Sequence, residues 1–215
     1  QEYHSTFGFP NQGRELVDNG RFSYLVSQNG TILYQVDQAA LRLSDLILQH
    51  KFRLLDETKT LPAITLKTSL KLPTGSRTEG TGSGQLDFGF SILAQKSYKR
   101  LHSYTQIGFL AFGKHQNLSS IQKKGGATFA QAIEFNLFEH ASLIGQVSGQ
   151  SALFKNVNLP ELSAATVDLT FGVRGEVPFK KTIEKMTYQF GFTQDPNPDG
   201  PSIDLSLYFN VGVEY

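Results

Sequence analysis

The sequence predicts an all-β protein, an antiparallel meander of long strands forming a transmembrane β-barrel. Three observations predict it: sustained apolar–polar alternation, no apolar run long enough for a spanning helix, and loops that alternate between short and long. A strand repeats every two residues, so alternation sorts side chains onto two faces. The pattern recurs about nine times over roughly 10–13 residues, where soluble strands average about 5–6 and tilted membrane strands need about 9–11. Without an apolar run near the ~20 residues of a spanning helix, a closed barrel is the remaining fold that satisfies every backbone group in lipid.

Residues 1–43 are expected to form an irregular extracellular segment, and 44–215 the barrel strands. Phe7-Gly-Phe-Pro-Asn-Gln-Gly-Arg-Glu15 is rich in turn formers and lacks a strand period. Phe22–Gln28 and Thr31–Asp37 flank Asn29-Gly30, the dipeptide that favours a tight β-hairpin. The first long strand sets Leu46, Leu48, Phe52 and Leu54 against Asp45, Gln49, Lys51 and Arg53. Ile64, Leu66, Leu70 and Leu72 then oppose Thr65, Lys67, Ser69 and Lys71, and Leu86, Phe88, Phe90 and Ile92 oppose Gln85, Asp87, Gly89 and Ser91. The segment 101–113 fits less cleanly, with Ile107, Phe109 and Ala111 against Tyr104, Gln106 and Gly108. Phe129, Ile133, Phe135 and Leu137 continue the pattern, which Gln131 interrupts on the apolar side. Strands follow around Leu143–Gln150, Ala165–Arg174 and Lys185–Thr193.

The final strand alternates without a break. Leu205, Leu207, Phe209, Val211, Val213 and Tyr215 share one side, and Ser206, Tyr208, Asn210, Gly212 and Glu214 the other. A chain ending mid-strand on an aromatic resembles the closing strand of a bacterial outer-membrane barrel. That likeness implies that Phe209, Val211, Val213 and Tyr215 form the signal read by the barrel-assembly machinery.

With Tyr215 on the periplasmic side, the connections separate into two sets. Leu55–Lys59, Lys96–Arg100, Phe138–His140 and Glu176–Thr182 are expected on the periplasmic side. Pro73–Ser83, Lys114–Lys124, Lys155–Leu162 and Thr193–Pro201 are expected outside, and on average they are the longer, as outer-membrane barrels arrange them. A soluble β-sandwich also has one apolar and one polar face. Its strands are shorter, and its chain order is less often a plain meander.

Composition narrows the function classes. Charged residues are 18% of the chain, with Gly 20 and Phe 17 of 215 and no Cys or Trp. Disulfides and thiolate metal sites are therefore excluded, and any aromatic girdle rests on Tyr and Phe. A net charge of +1 offers no concentrated basic face for nucleic acid. The five His form neither an HxH nor an HExxH pattern, so no metal and no cofactor are expected. His102 and Ser103 are adjacent and point to opposite faces, and no carboxylate spacing singles out an acid–base pair. Pro73–Gly84 is glycine-rich but lacks the Gly-Lys-Ser/Thr ending of a phosphate loop, so a mobile outer loop is expected. The protein is not expected to be an enzyme.

Phe7–Glu15, Leu41-Arg-Leu-Ser-Asp-Leu46, Ser69-Leu-Lys-Leu-Pro-Thr-Gly75 and Gly80-Thr-Gly-Ser-Gly84 resemble a family of bacterial outer-membrane proteins known only as a domain of unknown function. Gly149-Gln-Ser-Ala-Leu-Phe154 and Leu169-Thr-Phe-Gly172 fit it too. The resemblance spans essentially the whole chain and corresponds to the C-terminal two-thirds of such a protein. It implies about three further upstream strands and a barrel of about twelve, an even number as bacterial barrels require. It implies fold and location in the outer membrane, and no activity.

If the apolar faces meet lipid, the other faces line a lumen. Asp45, Lys51, Arg53, Lys67, Lys71, Asp87, Glu134, Asp168, Arg174, Lys185, Asp204 and Glu214 then point inward, six acidic and six basic. Such charges either pair across strands and fill the interior, or form a water-filled path that selects solutes. The expected function is a channel or transporter for small solutes; the alternative is a structural barrel that anchors or scaffolds a larger envelope complex. Expected partners are outer-membrane lipid and lipopolysaccharide, the barrel-assembly machinery and, for a scaffold, envelope-complex subunits, with no nucleic acid.

Overall fold

The alternating stretches become strands. The computed structural model describes residues 24–28, 30–37, 41–115, 118–157, 160–179, 184–196 and 205–214. β1 (Tyr24–Gln28) and β2 (Thr31–Val36) pair antiparallel as the expected hairpin. Gly30 sits in their turn at φ 77°, a left-handed conformation that glycine adopts without steric penalty.

Nine longer strands form a second sheet. They are β3 (Leu46–Leu55), β4 (Ala63–Leu72), β5 (Asp87–Tyr98), β6 (Leu101–Phe112), β7 (Gly125–Phe138), β8 (Ala141–Gln150), β9 (Thr166–Pro178), β10 (Lys185–Gln194) and β11 (Leu205–Glu214). Each spans 10 to 14 residues, and spatial order follows chain order from β3 to β11, an antiparallel meander. The sheet is not closed, and β3 and β11 are its edges. A single helical turn, Pro160–Ser163, lies in the connection before β9.

Connections are shorter at one end of the sheet. Lys99-Arg100 joins β5 to β6 and Glu139-His140 joins β7 to β8, whereas the connections that span residues 73–86, 113–124, 151–165 and 195–204 are longer. The turn expected at Lys96–Arg100 is reduced to two residues because β5 continues through Tyr98, with Lys99 taking φ 53° to reverse the chain. The turn expected at Glu176–Thr182 shifts as well, because β9 runs on to Pro178.

The register carries the apolar face across the sheet in continuous rows. Leu66 lies opposite Ile92, Ile92 opposite Ile107, and Ile107 opposite Phe129. Farther along, Leu143, Val173, Phe190 and Phe209 line up on successive strands, as do Phe171, Phe192 and Leu207. Apart from Leu66, which is half-buried, these side chains are exposed, Ile107 at 58% and Phe209 at 68%. Ser91, Glu134 and Ser142, on the opposite face, are buried below 9%. Among the described residues the buried apolar side chains are small (Val36, Ala63, Ala132 and Ala152), and no large side chain is fully buried. The sheet therefore buries polar groups on one face and exposes rows of Phe, Leu, Ile and Val on the other.

The chain divides into two units, Gln1–Leu46 with Pro73–Gly84, and Ile47–Leu72 with Gln85–Tyr215. In the first unit, Asp45 Oδ1 accepts from Gly75 N at 3.0 Å and Oδ2 from Ser83 N at 3.1 Å. Ser44 Oγ donates to Thr81 O at 2.8 Å, and Leu46 N donates to Thr74 Oγ1 at 2.8 Å. The glycine-rich loop expected to be mobile is thus tied down by Asp45, whose carboxylate caps two loop amides where a lumen-lining role was expected.

Candidate functional site

The polar face of β3–β11 is the candidate site, and its best-built part centres on Glu134. This residue lies on the inward register of β7, opposite His102 on β6 and Ile144 on β8. Tyr104 Oη donates to its Oε2 at 3.0 Å, and Ser142 Oγ donates to Oε1 at 2.5 Å. Arg174 Nη1 stands 4.0 Å from the same Oε1. A carboxylate taken from water needs such partners, because an unpaired buried charge is costly. Four neighbouring strands thus share one hydrogen-bonded acid, and with their neighbours they line a cleft of about 320 Å³.

The same cleft holds a second set. His102 Nδ1 is 3.0 Å from Ser97 Oγ, and its Nε2 is 3.1 Å from Asn136 Nδ2. Serine, histidine and amide in this order are the ingredients of a nucleophilic triad. The Ser97 N–H, which such a site uses to hold an oxyanion, instead donates to Glu57 Oε1 at 2.8 Å. The set satisfies both ring nitrogens and fixes the imidazole. Sequence reading missed this pairing because Ser97 and His102 meet only across the two-residue turn, in register opposite one another.

The expected lumen residues differ in their partners. Lys71 and Asp87, cross-strand partners on β4 and β5, form an ion pair, and Glu134 and Arg174 approach one another as described. Arg53 reaches sideways to Asp56 at 3.1 Å, with both side chains largely exposed. Lys51, Lys67 and Asp168 occupy the inward register with no ion pair within 4.0 Å among the described residues. Lys185, also inward, bridges Glu176 at 3.5 Å and Glu214 at 3.2 Å. Asp204 and Tyr215 lie outside the described residues. Phe209, Val211 and Val213 sit on the exposed apolar side of the edge strand β11.

Gln131, which interrupts the apolar side, is explained by its neighbours. Thr105 Oγ1 donates to Gln131 Oε1 at 2.6 Å, while Gln131 Nε2 donates to Ser103 Oγ at 3.0 Å and Ala132 O at 3.2 Å. The amide is satisfied within the face it interrupts, so it demands no water there.

Comparison with known proteins adds one finding. Residues 1–189 match the family described as "Protein of unknown function (DUF3187)". The chain belongs to this family. No curated protein matches the chain. The match covers β3 to β9, and with them every residue of the Glu134 cluster and of the Ser97–His102–Asn136 set.

Proposed function

We propose that the chain forms the wall of a bacterial outer-membrane β-barrel that passes small polar solutes. The observation that carries this reading is the inverted burial: in-register rows of Phe, Leu, Ile and Val lie exposed while Glu134, Ser91 and Ser142 are buried. Exposed apolar area costs about 25 cal/mol per Å² in water. Contiguous patches this extensive belong to surfaces that meet lipid or another protein. A soluble sandwich would cover such a face with a second sheet, whereas the long strands form one layer.

Strand parity supports closure through additional strands. In a nine-stranded antiparallel meander the edges β3 and β11 run the same way, so antiparallel closure takes an odd number of further strands, and a total of about twelve satisfies this. Lipid and lipopolysaccharide solvate the outside. The short-turn end faces the periplasm and the long loops face outward.

Recording from the detergent-folded protein in planar bilayers tests the reading. Steady ohmic steps are expected. Silence from well-folded protein would overturn the channel in favour of a scaffold. A monodisperse protein in plain buffer that binds no vesicles would remove the membrane location itself.

A further inference from the structure

We infer that the wall carries a transverse electric field selecting small zwitterions, solutes that bear both an ammonium and a carboxylate group; this rests on the barrel reading above. The charges on the polar face are segregated by strand. Inward positions of β3–β5 carry Lys51, Arg53, Lys67 and Lys71 against one carboxylate, Asp87. Inward positions of β7–β11 carry Glu134, Asp168, Glu176 and Glu214 against Arg174 and Lys185.

Local pairing does not erase this separation. Lys71 is paired with Asp87, and Arg53 with Asp56. Those pairs leave Lys51 and Lys67 as the cations of the first group, without an ion pair among the described residues. On the other side, Arg174 faces Glu134, and one ammonium, Lys185, is shared by Glu214 and by Glu176, whose other partner is the His140 imidazole at 3.4 Å, so negative charge remains there with Asp168. The spacing along the chain fits an opposed arrangement. In a ring of about twelve strands, members six apart face one another. This puts β3, β4 and β5 across from β9, β10 and β11.

Such a field acts on dipoles more than on net charge. The two sides nearly cancel, so a simple cation and a simple anion each meet one attractive and one repulsive wall. A zwitterion aligns its carboxylate toward Lys51 and Lys67 and its ammonium toward Asp168. Low-dielectric walls focus field lines in a narrow cleft, and within one Debye length, about 8 Å at physiological salt, screening is only partial. The mid-wall hydroxyls and amides, Gln146, Ser148 and Thr170, add hydrogen bonds without a fixed sign of charge.

Swelling of liposomes reconstituted with the complete protein tests this, with glycine and glycolamide as probes. The two are isomers of equal mass, one zwitterionic and one neutral. Glycine is expected to enter several-fold faster. Equal entry would overturn the field while leaving the pore intact. Entry of neither solute through folded protein would overturn the pore, and the field with it. The Lys51→Gln, Lys67→Gln double variant is expected to bring the glycine-to-glycolamide ratio near one, and Asp168→Asn, from the opposite wall, to lower it as well. Retention of the wild-type ratio in either folded variant would overturn the assignment of these side chains.

Discussion

Glu57 shows how a single side chain outside the strands can couple one connection to another. It lies in the segment between β3 and β4, where its carboxylate accepts from the Ser97 backbone N–H at 2.8 Å and stands 3.6 Å from Lys96 Nζ. The Ser97 N–H, ahead of the smaller contribution of the Lys96 charge, holds the Glu57 carboxyl below the usual carboxylate range. A folded value below the unfolded one, about 4.3, means that the stabilisation is complete above that pH and is lost as pH falls through the lower folded value. Glu57→Gln is therefore expected to weaken the acid-side loss of stability, measured as unfolding midpoints in detergent from neutral pH downward. Parallel curves for the two proteins would show that the contact contributes nothing.

Two side chains show what strand parity alone leaves open. His102 and its chain neighbour Ser103 point to opposite faces. His102 finds its partners, Ser97 and Asn136, on the two strands flanking its own. Asp45 was placed with the lumen because of its parity, yet two loop amides more than twenty-five residues away claim its carboxylate. Parity reports a face. Which partner waits there depends on register and on loop conformation.

At the scale of elements, the sheet depends on how closely adjacent strands pack at their small residues. Gly191 on β10 lies between Gly172 of β9 and Tyr208 of β11. A Cβ at position 191 would collide with the Phe171 carbonyl oxygen and with the Tyr208 hydroxyl. The tyrosine can move, but the carbonyl belongs to the ladder. Gly191→Ala is expected to destabilise the folded sheet by about 1–3 kcal/mol, the usual cost of overpacking. Equilibrium urea unfolding in vesicles measures it, and an unchanged midpoint would mean that β9 and β10 are looser than their register indicates. The strands themselves were legible to within a few residues. The turns were less so: β5 outlasted its expected end because Lys96–Tyr98 still pair with Leu101–Ser103, a pairing set by the two-residue reversal at Lys99-Arg100.

For the whole molecule, the question is which solvent each face meets. Phe190 and Gln189 are neighbours at the middle of β10, yet Phe190 sits in the row with Val173 and Phe209 while Gln189 Nε2 donates to Tyr208 Oη at 3.4 Å on the polar side. If hydrocarbon surrounds the barrel, Phe190→Arg should lower folding stability in vesicles by about 2–4 kcal/mol, the cost of a cation near the bilayer midplane. Gln189→Arg should cost much less, because a lumen hydrates it. Equal and small effects at both positions would place both faces in water.

Strand count, period and the assignment of side chains to two faces are all legible in the chain, because they depend on local alternation and composition alone. Tertiary structure decided which charges pair and which remain uncompensated. Lys71 meets Asp87, Arg174 approaches Glu134 and Lys185 joins two carboxylates, while Lys51, Lys67 and Asp168 are left without an ion pair among the described residues. The physical reason is range. A side chain's face follows from its own strand, but its Coulomb partner is fixed by the register between strands that are distant in sequence.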